Sequence, residues 1–323
     1  MKSFIQKYSN LLGLAGVLLV VVVIMSSLSP YFLTVPYMVN AMRFVSEIGL
    51  IALGMTVVML TGGIDISVGA VLALAAVCLG LFNKIGIPPA VSVILVLLIG
   101  LAAGFFNGLV ITKVGIPAMI VTLATMYLYR GIALGISSGN SFPINENIYF
   151  LGAGTVFGIP VQFVILTAAY LVIGLLFRRF NLGLKLTVIG FNEEAARFSG
   201  LHITGEKIKV YALSGLFSAM AGIIFACRVT SAKSDYGTGY ELDAITMAVL
   251  GGASMAGGRV SVLGTLLGTV IIELLRLGMT TANVQSEVQS IIIGAILIAA
   301  VALNVIRSKR PSFGLRIKKT QAQ

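Results

Sequence analysis

Residues 11–29 read Leu-Leu-Gly-Leu-Ala-Gly-Val-Leu-Leu-Val-Val-Val-Val-Ile-Met-Ser-Ser-Leu-Ser, an apolar run without a single charge. At 1.5 Å per residue, a helix of this length covers the roughly 30 Å of hydrocarbon in a bilayer. Lys2 and Lys7 precede the run and give it the outline of a secretory signal. No Ala-x-Ala cleavage site follows, and the run is long enough to span, so it reads as a first membrane helix.

The rest of the chain repeats that pattern. Hydrophobic residues make up 58% and charged residues 10%, with a mean hydropathy of +1.05. Soluble globular domains carry about 25% charged residues, so that class is excluded. The expectation is an all-α polytopic protein of the cell (inner) membrane, embedded in the lipid bilayer. A barrel would show alternating segments of about 10 residues instead. Further apolar runs lie at 41–60, 66–82, 90–112, 117–136, 162–177, 210–228, 241–255, 261–277 and 288–306, giving about ten transmembrane helices. The third and eighth are short, which leaves room for broken or re-entrant segments packed against protein. The 37 glycines suit helices that approach closely in lipid.

A net charge of +11 raises the question of nucleic acid. Lys and Arg lie at the ends of apolar runs with no aromatic-basic surface, so no nucleic-acid partner is expected, and the charges report topology instead. With the N-terminus inside, the inner segments hold Lys2, Lys7, Lys113, the basic residues of 178–209, Arg259 and those of 307–323. The outer segments hold only Lys84, Arg228 and Lys233. Both termini are therefore expected in the cytoplasm. Residues 1–306 form the membrane domain, 178–209 its cytoplasmic loop, and 307–323 a cytoplasmic basic tail. Cys78 and Cys227 lie in apolar runs without a CxxC pair and read as packing residues. His202 is the one histidine, so no metal site is expected. No phosphate-binding Gly-x-x-x-x-Gly-Lys-Ser/Thr occurs either.

A polar island interrupts this chain at residues 191–203, Phe-Asn-Glu-Glu-Ala-Ala-Arg-Phe-Ser-Gly-Leu-His-Ile. Asn192 is a good N-cap, and Glu193 and Glu194 then meet the positive end of the helix dipole. Ala195 and Ala196 keep one face thin, and Gly200 permits the left-handed turn that ends a helix. Two readings fit these residues: an ordinary capped helix, or a helix that docks against a partner.

Two segments share a Gly-Gly-x5-Gly pattern, Gly62-Gly63 to Gly69 and Gly257-Gly258 to Gly264. In the first, Asp65 and Ser67 begin the third span, where their oxygens can cap helix donors. A tightly packed hairpin and a stretch lining a solute path are both open readings. Glu241 and Asp243 stand at the outer start of the eighth span, where acids suit a helix N-terminus and can also form a docking rim. Arg43 with Glu47 and Glu273 with Arg276 are spaced to neutralise each other on one helix face. Arg130 has no such neighbour and either reaches the outer surface or lines the path. Asn107, Thr122, Thr125 and Asn40 are candidates to hydrogen-bond an uncharged, hydroxyl-rich solute.

Three stretches in order and spacing, residues 61–69, 190–203 and 239–258, resemble the permease of ribose-type monosaccharide ABC importers, and the similarity extends over nearly the whole chain. In that family Glu-Ala-Ala, three residues, then Gly marks the loop that couples to an ATPase; here it is Glu194-Ala195-Ala196, then Gly200. The resemblance implies a second permease copy, identical or a close paralogue, and a cytoplasmic ATP-binding subunit that holds ATP and Mg. It also implies an extracytoplasmic sugar-binding protein. No catalytic residue or cofactor then belongs to this chain. Phe191, where a glycine is common, and Arg259-Val260 depart from the pattern and leave the choice of sugar open. A nucleoside, a branched amino acid or a signalling furanose is the competing cargo; an ion-coupled secondary transporter would need an isolated ionisable residue near the midplane.

Overall fold

Backbone N–H and C=O groups find no water in hydrocarbon, so the apolar runs satisfy them internally as helices. A computed structural model describes the backbone of residues 2–309 and the side chains of residues 11–302. In chain order the helices are α1 (Lys2–Leu28), α2 (Val35–Leu60), α3 (Val68–Lys84), α4 (Pro89–Leu109), α5 (Ala118–Ser137), α6 (Phe150–Ala153) and α7 (Val161–Arg179). They continue as α8 (Leu182–Phe191), α9 (Glu193–Phe198), α10 (Ile203–Val229), α11 (Tyr240–Leu250), α12 (Val262–Thr281) and α13 (Ser286–Lys309). Among the described residues, 7 helices are long and apolar enough to cross a membrane, and α3 is a shorter apolar helix. Among the described residues, strand is confined to two pairs of two-residue segments, Phe142–Pro143 with Ser231–Ala232 and Thr155–Val156 with Ile159–Pro160.

Each expected span overlaps a helix, but the eighth is cut short. The run at 241–255 yields only the 11 residues of α11, about 16 Å at 1.5 Å per residue, or half a bilayer. It stops where Gly251-Gly252 follow, with Gly252 at φ +100°. The loop at 178–209 contains the apolar helix α8, which the sequence reading passed over. The terminal helix runs through Lys309, into the expected basic tail; residues 310–323 lie outside the described residues.

The bundle differs from a soluble protein on its outside, where apolar side chains face outward over an interior that also holds polar groups. Leu19, Val20, Leu98, Ile120 and Leu171 on α1, α4, α5 and α7 are exposed, while Ser46, Thr56, Asn107 and Thr265 are fully buried. α2 runs through the centre, with Leu50, Ile51, Met55 and Met59 completely enclosed. α10 packs on α2, α3 and α4. Its closest seam is with α4, where Gly100, Gly104 and Gly108 stand one turn apart. A Cβ on Gly104 would lie 2.1 Å from the Tyr211 carbonyl oxygen, and one on Gly215 would lie 2.1 Å from that of Gly100. Small residues here let two backbones touch, the packing that substitutes for hydrophobic drive in lipid.

Candidate functional site

The polar island folds as its local chemistry dictates. Asn192, in extended backbone, accepts a hydrogen bond from the Ala195 amide on its Oδ1 at 2.9 Å. Glu193 and Glu194 occupy the first turn of α9. Gly200 at φ +79° closes the helix, its amide donating to Arg197 while that of Leu201 donates to Ala196. Ala196 is buried and Ala195 exposed. Glu193 pairs with Lys207 of α10 at 2.5 Å. α9 also presents Phe198, 84% exposed, which the sequence reading passed over; its signal was an aromatic residue in an otherwise small and polar helix.

The two Gly-Gly turns, far apart in sequence, meet beside this helix. The Gly258 amide donates to the Leu60 carbonyl at 3.0 Å, joining the loop before α12 to the end of α2. Gly62, Gly257 and Gly258 all have positive φ, which only glycine adopts without strain. A Cβ on Gly257 would stand 2.8 Å from Gly62 Cα, and one on Gly190 2.0 Å from the Leu60 carbonyl oxygen and 2.5 Å from the Gly258 nitrogen. Gly190 belongs to α8, which leads directly into α9. The Arg259 guanidinium lies over the Phe191 ring at 5.8 Å. Higher up, the hydroxyls of Thr56 and Thr265 bond at 2.8 Å, tying α2 to α12. Both glycine turns and the capped helix thus form one knot at one end of the bundle, with backbone against backbone at Gly190, Gly62 and Gly257.

The residues after the first turn form a buried network. Asp65 Oδ1 accepts from the Ser67 amide at 3.1 Å and the Ser67 hydroxyl at 2.6 Å, and Oδ2 from the Ser214 hydroxyl at 2.8 Å. Asn107 Nδ2 donates to the Ser67 oxygen at 2.8 Å, and the Tyr129 hydroxyl donates to Asn107 Oδ1 at 3.1 Å. Thr122 donates to the Ile64 carbonyl at 3.1 Å. The expectation that both Asp65 and Ser67 cap α3 needs correction: the carboxylate takes the amide, and the Ser67 hydroxyl makes no cap bond and turns to that carboxylate. Gly69 packs against the loop before α11, since a Cβ there would lie 2.3 Å from the Gly237 carbonyl oxygen. Thr125 donates to the Thr122 carbonyl at 3.3 Å, and Asn40 is exposed.

Arg43 and Glu47 do not pair, and Arg276 makes its hydrogen bond off its own helix. Glu47, 1% exposed, takes a two-pronged contact from Arg228 of α10 at 2.5 and 3.0 Å, and the guanidinium lies over Phe44 and Phe225. Arg43 donates instead to the Ala153 carbonyl at 3.1 Å. Arg276 bonds Asp243 at 2.9 Å in preference to Glu273 on its own helix. Asp243 is buried, and Glu241 is half-buried in the same first turn. A buried carboxylate gains more from a guanidinium on a facing helix, where the fork meets both oxygens, than from one on its own surface. Arg130 donates to the Ser234 and Tyr236 carbonyls at 2.9 Å each, clasping α5 to the loop before α11.

This arrangement, with the short helices α3 and α11 set against glycine turns inside an apolar bundle, agrees with a direct comparison. A family model described as the permease component of the branched-chain amino acid transport system matches residues 37–301. The chain belongs to this permease family. The permease is 40% identical over 93% of its length to the ribose import permease protein RbsC of Bacillus subtilis, covering 92% of that protein. It is 35% identical over 94% to the protein of the same name in Escherichia coli K12, covering 95%. Against the autoinducer 2 import system permease protein LsrD of Photorhabdus laumondii it is 34% identical over 92%, covering 91%. No solved structure matches the permease significantly.

Proposed function

We propose that the permease is the membrane subunit of an ATP-binding cassette importer and carries a ribose-like monosaccharide into the cell. On the Lys and Arg distribution both termini and α9 lie in the cytoplasm, with about ten membrane helices, α3 and α11 the short ones; residues 1–306 are the membrane domain and 307–323 a basic tail. ATP and Mg are held by a separate subunit docked on α9, an extracytoplasmic binding protein delivers the sugar, and a second permease copy completes the channel. The carrying observation is the knot around Gly190. It joins a capped, partly exposed helix to the turns of α2–α3 and α11–α12, so a push on α9 reaches both broken hairpins through backbone contacts that cannot slacken. The relatives named for ribose import match at 40% and 35% identity and the one named for autoinducer 2 at 34%, which favours ribose as the cargo.

Glu194 is exposed and in no ion pair among the described residues, so Glu194→Lys leaves the fold intact while reversing the charge offered to the ATPase. Gly200→Leu forces a branched side chain to φ +79°. Both variants should insert at normal abundance and lose uptake; normal uptake by both in an intact complex removes the coupling role of α9.

A further inference from the structure

The chain between α5 and α7 closes with a tight hairpin, Thr155–Val156 against Ile159–Pro160. Its two turn residues, Phe157 at φ +51° and Gly158 at φ +80°, have the left-handed backbone that a two-residue hairpin turn requires. Asn-Gly is the usual pair in such a turn, and a bulky side chain at this φ is an outlier. Phe157 is fully exposed all the same, with Phe150, Val156 and Ile159 exposed around it. The fold accepts backbone strain in order to hold a bare aromatic ring at the tip. Strain of this kind is kept where the geometry it presents is used.

The base of the hairpin is fixed to three helices. α6 leads into it and lies backbone to backbone on the outer end of α10, where a Cβ on Gly152 would collide with the Cys227–Arg228 peptide. Arg43 of α2 donates to the Ala153 carbonyl at 3.1 Å, Gln162 of α7 donates to that of Gly152, and the Val161 amide donates to that of Gly154 at 3.0 Å. The finger is therefore preformed, which lowers the ordering cost of any contact it makes. From its foot α10 runs 27 residues, about 40 Å, to its other end beside α9. On the topology proposed above, the hairpin stands outside the membrane.

An exposed apolar cluster on a fixed base marks a contact surface, with lipid or with protein. Lipid headgroups are met by Trp, Tyr, Lys and Arg. Residues 138–160 contain no Lys, Arg or Trp, and their one tyrosine, Tyr149, packs against the core. Their single charge is Glu146, so the surface they complement is apolar and close to neutral. We propose that this hairpin is a docking finger for the extracytoplasmic binding protein, Phe157 entering an apolar hollow on that protein. The identity of the partner rests on the importer reading above.

Uptake into vesicles holding the complete importer is measured against the concentration of ribose-loaded binding protein outside. Phe157→Asn supplies the residue the turn prefers, so this permease should melt no lower than wild type. Its half-saturating concentration of binding protein should rise about tenfold or more, as when an aromatic anchor is removed from an interface. Phe157→Tyr keeps the ring and should stay near wild type. Independently of stability, Phe157→Cys in a background lacking Cys78 and Cys227 should react with an impermeant thiol reagent from outside and be protected by the loaded binding protein. An unchanged half-saturating concentration in Phe157→Asn, or labelling of Phe157→Cys undiminished by saturating binding protein, overturns the proposal. So does a Phe157→Asn permease that docks normally but melts lower than wild type in lipid and not in detergent, which assigns the ring to the bilayer surface. Wild-type uptake that needs no binding protein overturns the importer reading and the finger with it; saturable wild-type uptake with unaltered docking in Phe157→Asn overturns the finger alone.

Discussion

Replacing Gly190 with alanine adds a single methyl group at the point where α8 crosses both glycine turns. The new carbon would stand 2.0 Å from the Leu60 carbonyl oxygen and 2.5 Å from the Gly258 nitrogen, and both neighbours are backbone that no rotamer can move aside. Separating them overpacks the seam at about 1–3 kcal/mol. It also opens the 3.0 Å bond between the Gly258 amide and Leu60, leaving buried groups unpaired for another ~1–3 kcal/mol. The sum, roughly 2–6 kcal/mol, is a large share of the ~5–15 kcal/mol that typically holds a native protein together. Gly131→Ala is the matched control, because nothing lies within 4 Å of a Cβ at Gly131. Thermal unfolding in detergent and uptake in vesicles are read for both. Gly190→Ala should melt several degrees lower and lose more than nine-tenths of uptake, and Gly131→Ala should match wild type. A Gly190→Ala permease as stable and active as the control would refute the reasoning.

Arg228→Met should cost about 3–5 kcal/mol by stranding the buried Glu47 carboxylate. The double variant with Glu47→Gln should recover part of that loss in the same melting assay. Asp65→Asn should keep substantial uptake, since an amide oxygen still accepts from the Ser67 amide and the Ser214 hydroxyl can rotate to accept from the new donor; Asp65→Leu should not. A single cysteine at Ser199 should react with an impermeant thiol reagent only from the cytoplasmic side, and one at Asn145 only from outside, in a background lacking Cys78 and Cys227. The reverse pattern overturns the orientation read from Lys and Arg.

Local chemistry was legible in the sequence, and contacts between helices were not. The cap at Asn192 and the left-handed Gly200 depend on neighbours within a few positions, so the residue types alone specify them. The end of α11 is likewise written in Gly251-Gly252, but an apolar stretch continuing to Met255 masked it. Glu47 shows the opposite case. Its spacing from Arg43 suggested a pair, yet Arg228, 181 positions away in sequence, takes the carboxylate because α10 packs on α2, a fact no helix face contains. The matching Gly-Gly-x5-Gly spacings were visible, but that the two turns touch each other and Gly190 was not, since glycine leaves no side-chain pattern to read. The partners of Arg130 were hidden for the same reason: its acceptors are the carbonyls of Ser234 and Tyr236, and backbone groups carry no residue signature.

The central claim, that this chain imports a sugar on energy passed to it by an ATP-hydrolysing partner, is tested most directly by uptake into vesicles. These hold the permease with its ATP-binding subunit and are supplied with the binding protein and labelled ribose outside. Uptake should require ATP within the lumen and continue undiminished when an uncoupler removes the proton gradient. Uptake that collapses with the gradient despite ample ATP would contradict the account.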